Sequence, residues 1–366
     1  MATFDTAFDT AYVHIGLHKT GTTSIQQTFA RHRDMFAEQH GLIYPSVSSN
    51  HSIPLFSMFC DRPGSYSWNM LAGVTSDDDV ARRNQAFADS LGEDIAGGGR
   101  TLVLSGEDLG LLSRDGVQRF KRWLFPHAKA IRILAYVREP VSWATSQAQQ
   151  QVRHGKILEE LLEHDLIPRF RRRLKPWMLA FGADNIMVSD FDVARRHADG
   201  LFGHFAEQVG LPPSVNAAIT PVLANESLSG EAIVLLSALN ALKPRIVDNR
   251  ASPERDASLD QVFTRIKGQR FTLPPDAMAR TKAASAAEVT WLGNMFGLRF
   301  AELVAPAEYL PLFSTAAARD SMALLLWELN RAAPAAAATA KRPRDEELDA
   351  LPVLLVPRRK SGSTSG

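Results

Sequence analysis

Short apolar runs rich in β-branched residues alternate along this chain with longer stretches whose apolar positions recur every three or four residues. Ala11 to Gly16 is one such run. It stops at glycine, and Thr22-Thr23-Ser24 opens a helical stretch reaching about Ala37. The same order then repeats. Leu42 to Tyr44 and Thr101 to Leu104 read as strands, with a helix around Val80 to Ile95 and the breaker Gly97-Gly98-Gly99 between them. A helix near Val117 to Leu124 precedes the strand Ala130 to Val137. A further helix starts near Pro140, a residue suited to a first helical turn, and the helix Pro168 to Phe181 leads into the strand Asn185 to Ser189. Alternation of this kind predicts an α/β protein with a mainly parallel central sheet and helices on both faces.

Beyond Asn225 the pattern turns helical, with Gly230 to Leu242 and Ser285 to Met295 as the clearest stretches and no further strand. This predicts a helical C-terminal layer. The expected organisation is one unit over residues 1–330, with its core in 11–240 and its helical part in 241–330. An Ala/Pro-rich run, a charged segment from Lys341 to Glu347 and a Lys/Ser/Gly/Thr ending read as a flexible tail over 331–366. The cluster Lys341-Arg-Pro-Arg344 is the kind of charge run that a solvated tail carries.

Composition narrows the function classes. The chain has 366 residues with 41 Lys+Arg against 40 Asp+Glu, so no overall field draws it to nucleic acid or to an anionic membrane, and any anion site must be local. Cys60 is the single cysteine, and no Cys-x-x-Cys spacing offers a structural zinc site. No metal is expected. Met1 to Thr10 carries Asp5 and Asp9 where a secretory leader would be basic. The apolar run Leu351 to Val356 is far shorter than the ~20 residues of a membrane span. A cytoplasmic location without a transmembrane segment is the expectation.

The chemistry begins in the first turn. Gly16-Leu-His-Lys-Thr-Gly21-Thr22-Thr23 has the glycine spacing of a nucleotide loop and sits between a strand and a helix. There, backbone N–H groups and the helix dipole favour a phosphate, and a P-loop NTPase-like plan follows. In kinases and GTPases a lysine follows the second glycine directly and a hydroxyl residue after it holds magnesium. Here Thr22 takes the lysine's place and Lys19 lies inside the loop. A lysine at mid-loop can neutralise charge developing on a bridging oxygen as a group leaves. The bland alternative is a Thr-rich strand-to-helix turn with a solvated lysine; the run of hydroxyls Thr20, Thr22, Thr23 and Ser24 argues for the phosphate.

A second constellation, Arg138-Glu-Pro-Val-Ser-Trp-Ala-Thr-Ser146, follows the strand Ala130 to Val137. Arg138 at the strand end and Ser146 two turns into the next helix can face one anion. Standing alone, the segment would read equally as an Arg138–Glu139 surface pair with a neutral Ser146. Both constellations follow strands, however, so both fall on the ligand-binding edge of a parallel sheet.

His14-Ile-Gly-Leu-His-Lys-Thr-Gly-Thr-Thr-Ser24, followed at a distance by Arg138-x-Pro and Ser146, resembles the bacterial cytosolic-type branch of the sulfotransferase superfamily. The resemblance runs over about residues 11 to 240 and includes Asn225-Glu-Ser-Leu-Ser229. It implies a donor, 3′-phosphoadenosine 5′-phosphosulfate (PAPS), with Lys19, Thr20, Gly21, Thr22, Thr23 and Ser24 holding the 5′-phosphosulfate and Arg138 with Ser146 holding the 3′-phosphate. The expected reaction moves a sulfuryl group to a hydroxyl or amine of an acceptor and releases adenosine 3′,5′-bisphosphate, without a metal.

Such a transfer needs a base. Thr101 to Leu104 runs into Ser105-Gly106-Glu107-Asp108, where Glu107 can face the transferring group. In glycan-modifying sulfotransferases a similar glutamate serves as base, whereas small-molecule enzymes commonly use a histidine. Glu107 and Asp108 can also be read as carboxylates at a helix start, a role that suits Asp108 better. His51, after the second strand, is the rival base or an acceptor contact, since imidazole titrates near neutrality. His14 reads as a packed core residue and His18 as a loop-shaping one. Gln147 to His154 offers neutral donors and acceptors that suit a glycan or a polar metabolite. Arg169, Arg171, Arg172, Arg173 and Lys175 can steer an anion, although they also fit a solvated helix face. Trp143 and Trp177 read as core. A small-molecule kinase and a non-catalytic nucleotide-binding protein are the alternatives to a sulfotransferase.

Overall fold

The computed structural model describes residues 8–222, 227–247, 250–252, 255, 262–301, 303 and 316–332. Five strands form one sheet: β1 (Phe8–His14), β2 (Leu42–Ile43), β3 (Gly99–Ser105), β4 (Ala128–Val137) and β5 (Ile186–Asp190). They lie in the order β2-β3-β1-β4-β5, and every neighbouring pair is parallel. The sheet is therefore wholly parallel, as the alternating pattern requires. The order reverses direction at β1, which lies between β3 and β4. Ligands of open parallel sheets bind in the crevice beyond such a reversal.

Period-two patterning divides the core between the two faces. On one face Val13, Leu102, Leu104, Ile133, Ala135 and Val137 pack with α3 (Ser52–Phe59), α5 (Asp77–Ala96), α6 (Arg114–Leu124) and α9 (Phe170–Phe181). The intervening residues Val103, Leu134 and Tyr136 face the other way. They meet α1 (Thr22–Arg31), α2 (Arg33–His40), α10 (Phe191–Ala194), α11 (Gly200–Gln208) and α12 (Ser214–Ala218). A third cluster lies apart from the sheet. There Trp143, Ala148 and Val152 of α7 (Pro140–Arg153) and Leu158 of α8 (Leu158–Leu162) pack with Leu235 and Leu239 of α13 (Gly230–Leu242) and with Trp327. This is the helical C-terminal layer, completed by the helices Pro275–Phe296 and Ala316–Ala332.

Several details differ from the sequence pattern. The first helix breaks at His32, and its two parts meet where Phe36 stacks on Phe29 with ring centroids 4.8 Å apart. Ile246–Val247 and Arg250–Ala251 form an antiparallel pair where no strand was expected; at two residues each they are too short to show alternation. The last helix runs to Ala332, two residues into the expected tail. The rest of that tail, with Asn225 and Glu226, lies outside the described residues. Both tryptophans are core as expected. Trp177 is fully buried between Phe120 and Phe181, and Trp143 is 8% exposed.

Candidate functional site

The loop after β1 is tied to the sheet before it turns. Ile15 N–H donates to Leu134 O (2.9 Å), Leu17 N–H to Tyr136 O (3.0 Å), and Tyr136 N–H to Gly16 O (2.7 Å), so β4 holds the loop's entry. Gly16 has φ 95°, and a Cβ there would lie 3.1 Å from Glu107 Cα; the missing side chain lets the loop rest against the end of β3. Lys19 has φ 69°, a left-handed conformation uncommon for a residue with a side chain and characteristic of constrained functional loops. The Thr20 hydroxyl donates to Leu17 O and closes the turn. Gly21, at φ 72°, then starts α1, which has neither a side-chain cap nor an acidic residue in its first turn. An uncapped helix start attracts anions. Thr22 Oγ1 is buried there without a hydrogen-bond partner, and Thr23 and Ser24 are half-buried beside it. A phosphate oxygen would satisfy that hydroxyl.

Arg138 stands at the end of β4, 9% exposed. It does not pair with Glu139, whose Oε2 instead accepts from Ser142 N–H (2.7 Å) and caps α7. Its guanidinium lies 3.8 Å from Asp192 Oδ2, 5.1 Å from the Phe191 ring centroid and, through Nη1, 3.4 Å from Lys19 O. The two sequence constellations thus adjoin one another. Phe191 joins them physically, since a Cβ on Gly21 would meet its ring at 3.2 Å. The charges of Arg195 and Arg270 also act on Arg138, which gives this half of the site three arginines. Arg138 Nε has no hydrogen-bond partner. Ser146 is half-buried on α7, and no hydrogen bond joins it to Arg138.

Glu107 opens a short 3₁₀ turn, Glu107–Leu111, after β3. Burial pushes its carboxyl above the usual range, His18 and Lys19 oppose that shift, and Asp108 adds to it. Burial likewise pulls the Lys19 ammonium down to about 8, against the attraction of Glu107 and with the repulsion of Arg153 and Arg138. Glu107 and Lys19 therefore act on each other electrostatically beside Gly16, each shifted toward neutrality. Asp108 is more than a helix-start carboxylate. Its Oδ1 lies 2.9 Å from His18 Nε2, its Oδ2 accepts from Tyr66 Oη (2.6 Å), and its N–H donates to Ser52 Oγ (3.0 Å). Burial raises its carboxyl, but the bonds from His18 and Tyr66 outweigh that and hold it below its ordinary value. Arg173 Nη1 approaches His18 Nδ1 at 3.5 Å. Of the basic cluster on α9, Arg173 alone is drawn in among Arg169, Arg171, Arg172 and Lys175, which are exposed.

His51 is placed otherwise than a base requires. It is fully buried, Nδ1 accepts from Ser105 N–H (3.1 Å), and Nε2 lies 3.0 Å from Pro45 O, which fixes it as the Nε2–H tautomer. Burial lowers it to about 4. Both nitrogens are committed to holding the ends of β2 and β3 together, so neither is offered to a substrate. His14 is also fully buried, bonded to Ser105 Oγ (2.9 Å) and lowered by burial to about 3, which is the core role expected of it. The residues that sequence reasoning missed are Asp192, Phe191, Arg195 and Arg270 around Arg138, and Tyr66 beside Asp108. Asp190-Phe-Asp192, at the end of the fifth strand, carried a positional signal for the first of these.

No family model matches the chain, and no curated protein matches it. Among solved structures, a sulfotransferase from Alicyclobacillus acidocaldarius is similar at 15% identity and a TM-score of 0.43, over 79% of this chain and 96% of that one. A likeness that shallow carries no argument about chemistry. Among the described residues no helix is long and apolar enough to cross a membrane, and no group of three or more His, Cys, Asp or Glu is placed to hold a metal ion.

Proposed function

We propose that this protein is a PAPS-dependent sulfotransferase acting on a hydroxyl or amine of a polar acceptor, such as a glycan or a hydrophilic metabolite. The observation that carries the reading is the junction of two anion half-sites. Lys19 and the uncapped start of α1 adjoin Arg138, with Arg195 and Arg270 around it, at the point where the sheet order reverses. A donor with both a 5′-phosphosulfate and a 3′-phosphate needs two such halves, whereas ATP has no 3′-phosphate to fill the second.

In this reading Thr20 to Ser24 cradle the 5′-phosphosulfate, and Arg138 with Ser146 holds the 3′-phosphate. The acceptor oxygen attacks sulfur in line. As the new O–S bond forms, the bond from sulfur to the bridging phosphate oxygen breaks, and that oxygen keeps the electron pair. Lys19 stabilises the charge that develops there. Glu107 takes the acceptor proton, a role its raised carboxyl suits better than the committed nitrogens of His51. The test is calorimetric titration with adenosine 3′,5′-bisphosphate beside ATP, ADP and AMP. Tight preference for the bisphosphate, reduced about 100-fold or more in Arg138→Ala, is expected. Equal binding of ATP, or no bisphosphate binding by folded protein, overturns the reading in favour of a kinase or a scaffold.

A further inference from the structure

Charge around the cleft is not exhausted by the donor. On the 3′-phosphate side Arg138, Arg195 and Arg270 gather, with Asp192 as counterion at 3.8 Å from Arg138 and 3.7 Å from Arg195. On the 5′ side stand Lys19 and the start of α1. Two further arginines stand near the Lys19 loop. Arg173 comes from α9 and is half-buried, with its guanidinium 3.5 Å from the ring of His18, which neighbours Lys19 in the loop. Asp108, the nearby carboxylate, has one oxygen on His18 and the other on Tyr66. Arg153 ends α7 and is also half-buried. It lies seven residues after Ser146, two helical turns along the same face, and its charge is felt at Lys19. Among the described residues no carboxylate lies within 4.0 Å of Arg153 or Arg173. Arg153 thus has no carboxylate in contact among them, and Arg173 reaches its nearest one, Asp108, only through His18, so two half-buried guanidinium groups beside Lys19 and Glu107 keep donors that an anion could take up.

We infer that the acceptor is itself an anion, carrying a carboxylate or sulfate beside the hydroxyl that reacts, and that Arg153 and Arg173 hold that group on the acceptor side of Lys19 and Glu107. The inference rests on the sulfuryl-transfer reading for the direction of the reaction, but the anion site stands on its own geometry. It also accounts for the outer face of α9. There Arg171, Arg172 and Lys175, with Arg114 of α6, line a groove of about 350 Å³ in which Glu288 is the only carboxylate among the lining residues. An acidic chain whose reacting unit is held by Arg173 would have further cations within reach along the same helix.

The experiment uses the full chain saturated with adenosine 3′,5′-bisphosphate, titrated at low salt with glucuronate, with a hexauronate, and with neutral maltohexaose. The acidic ligands are expected to bind at least about tenfold tighter than the neutral one and to weaken as salt rises. Arg173→Gln and Arg153→Gln should each weaken them about tenfold while leaving bisphosphate affinity within about twofold. Arg173→Lys, which keeps the charge, should recover part of the loss. Binding of glucuronate alone identifies a small acid as sufficient; binding confined to the hexauronate identifies a chain that also engages the outer groove. Equal binding of neutral and acidic ligands overturns the inference, as does a loss of bisphosphate rather than uronate affinity in the arginine variants. If the bisphosphate fails to bind while uronates bind in an Arg173-dependent way, the sulfotransferase reading falls and the anion site remains.

Discussion

Replacing Lys19 by arginine should change how donor-site affinity depends on pH more than it changes the affinity itself. Burial, with the repulsion of Arg153 and Arg138 and against the attraction of Glu107, brings the Lys19 ammonium from 10.5 to about 8 in the free protein. A bound phosphate would raise it again, because the anion favours the charged form. The sign follows from this. Below about pH 8 the lysine is already protonated and binding gains its full charge; above that, each pH unit costs about tenfold in affinity because a proton must be taken up on binding. At about pH 10 the loss should approach 100-fold, or about 2.7 kcal/mol. The slope continues until the pKa of the bound state is reached. The assay is calorimetric titration of adenosine 3′,5′-bisphosphate from about pH 7 upward, where its phosphates are fully ionised. His14 and His51 titrate well below this window, and Tyr66 is pushed above it by burial and by Asp108, so they add no slope of their own. Lys19→Arg keeps its charge throughout and should give a flat curve. A flat curve in the wild type, or an unchanged slope in Lys19→Arg, would refute the placement of this ammonium against the donor.

Glu107→Gln should bind the bisphosphate within about twofold of wild type and release it from PAPS about 10²- to 10⁴-fold more slowly, with loss of the acid limb of the rate profile; retention of that limb would move the base elsewhere. Because the Glu107 carboxyl is raised, that limb should lie above the ordinary carboxylate range, with activity rising as pH passes through it. His51→Ala removes two buried hydrogen bonds and should cost about 2–4 kcal/mol in urea denaturation while leaving the acid limb in place, since a structural residue does not titrate with the rate. Gly16→Ala places a Cβ 3.1 Å from Glu107 Cα at φ 95°, so stability should fall by about 1–3 kcal/mol and turnover should fall further than donor affinity. Trp177→Ala should cost about 3–5 kcal/mol without altering the pH profile of the residual activity.

The sheet was legible because a parallel strand buried on both faces leaves a short apolar run, and each run is separated from the next by a helix long enough to show its own period. Ala11 to Gly16 and Ala130 to Val137 were visible for that reason. What the pattern could not show is strand order. That β1 lies between β3 and β4 is decided by the handed connections and by which faces the helices cover, and it is this placement that sets the Lys19 loop beside Arg138. The break at His32 and the strands Ile246–Val247 and Arg250–Ala251 escaped for a simpler reason: one residue of irregular backbone carries no periodicity, and these strands sit among charged residues, whereas the equally short Leu42–Ile43 lies in an apolar run after a helix-ending glycine.

The site divides along the same line. The placement of Lys19, Thr22 and Arg138 at strand ends could be read because it depends on a neighbouring strand and helix, which is local information. Asp108, His18, Tyr66 and Arg173 could not, because their relation joins residues 18, 66, 108 and 173 through contacts that exist only after folding. His51 shows the converse. Its loop position and neutral-range chemistry made it resemble a base, and only burial of the ring, with Ser105 on one nitrogen and Pro45 on the other, makes it a fastener between strands. A histidine's role is therefore set by what occupies its second nitrogen. Among the basic residues of α9 the sequence gives five equivalent candidates. The fold singles out Arg173 because Leu174 and Trp177 turn inward and carry their neighbour toward the loop, while Arg171 and Lys175 stay with the solvent. The decisive variable at both places is which face of an element the core claims, and the core makes that choice with apolar residues that have no part in the chemistry.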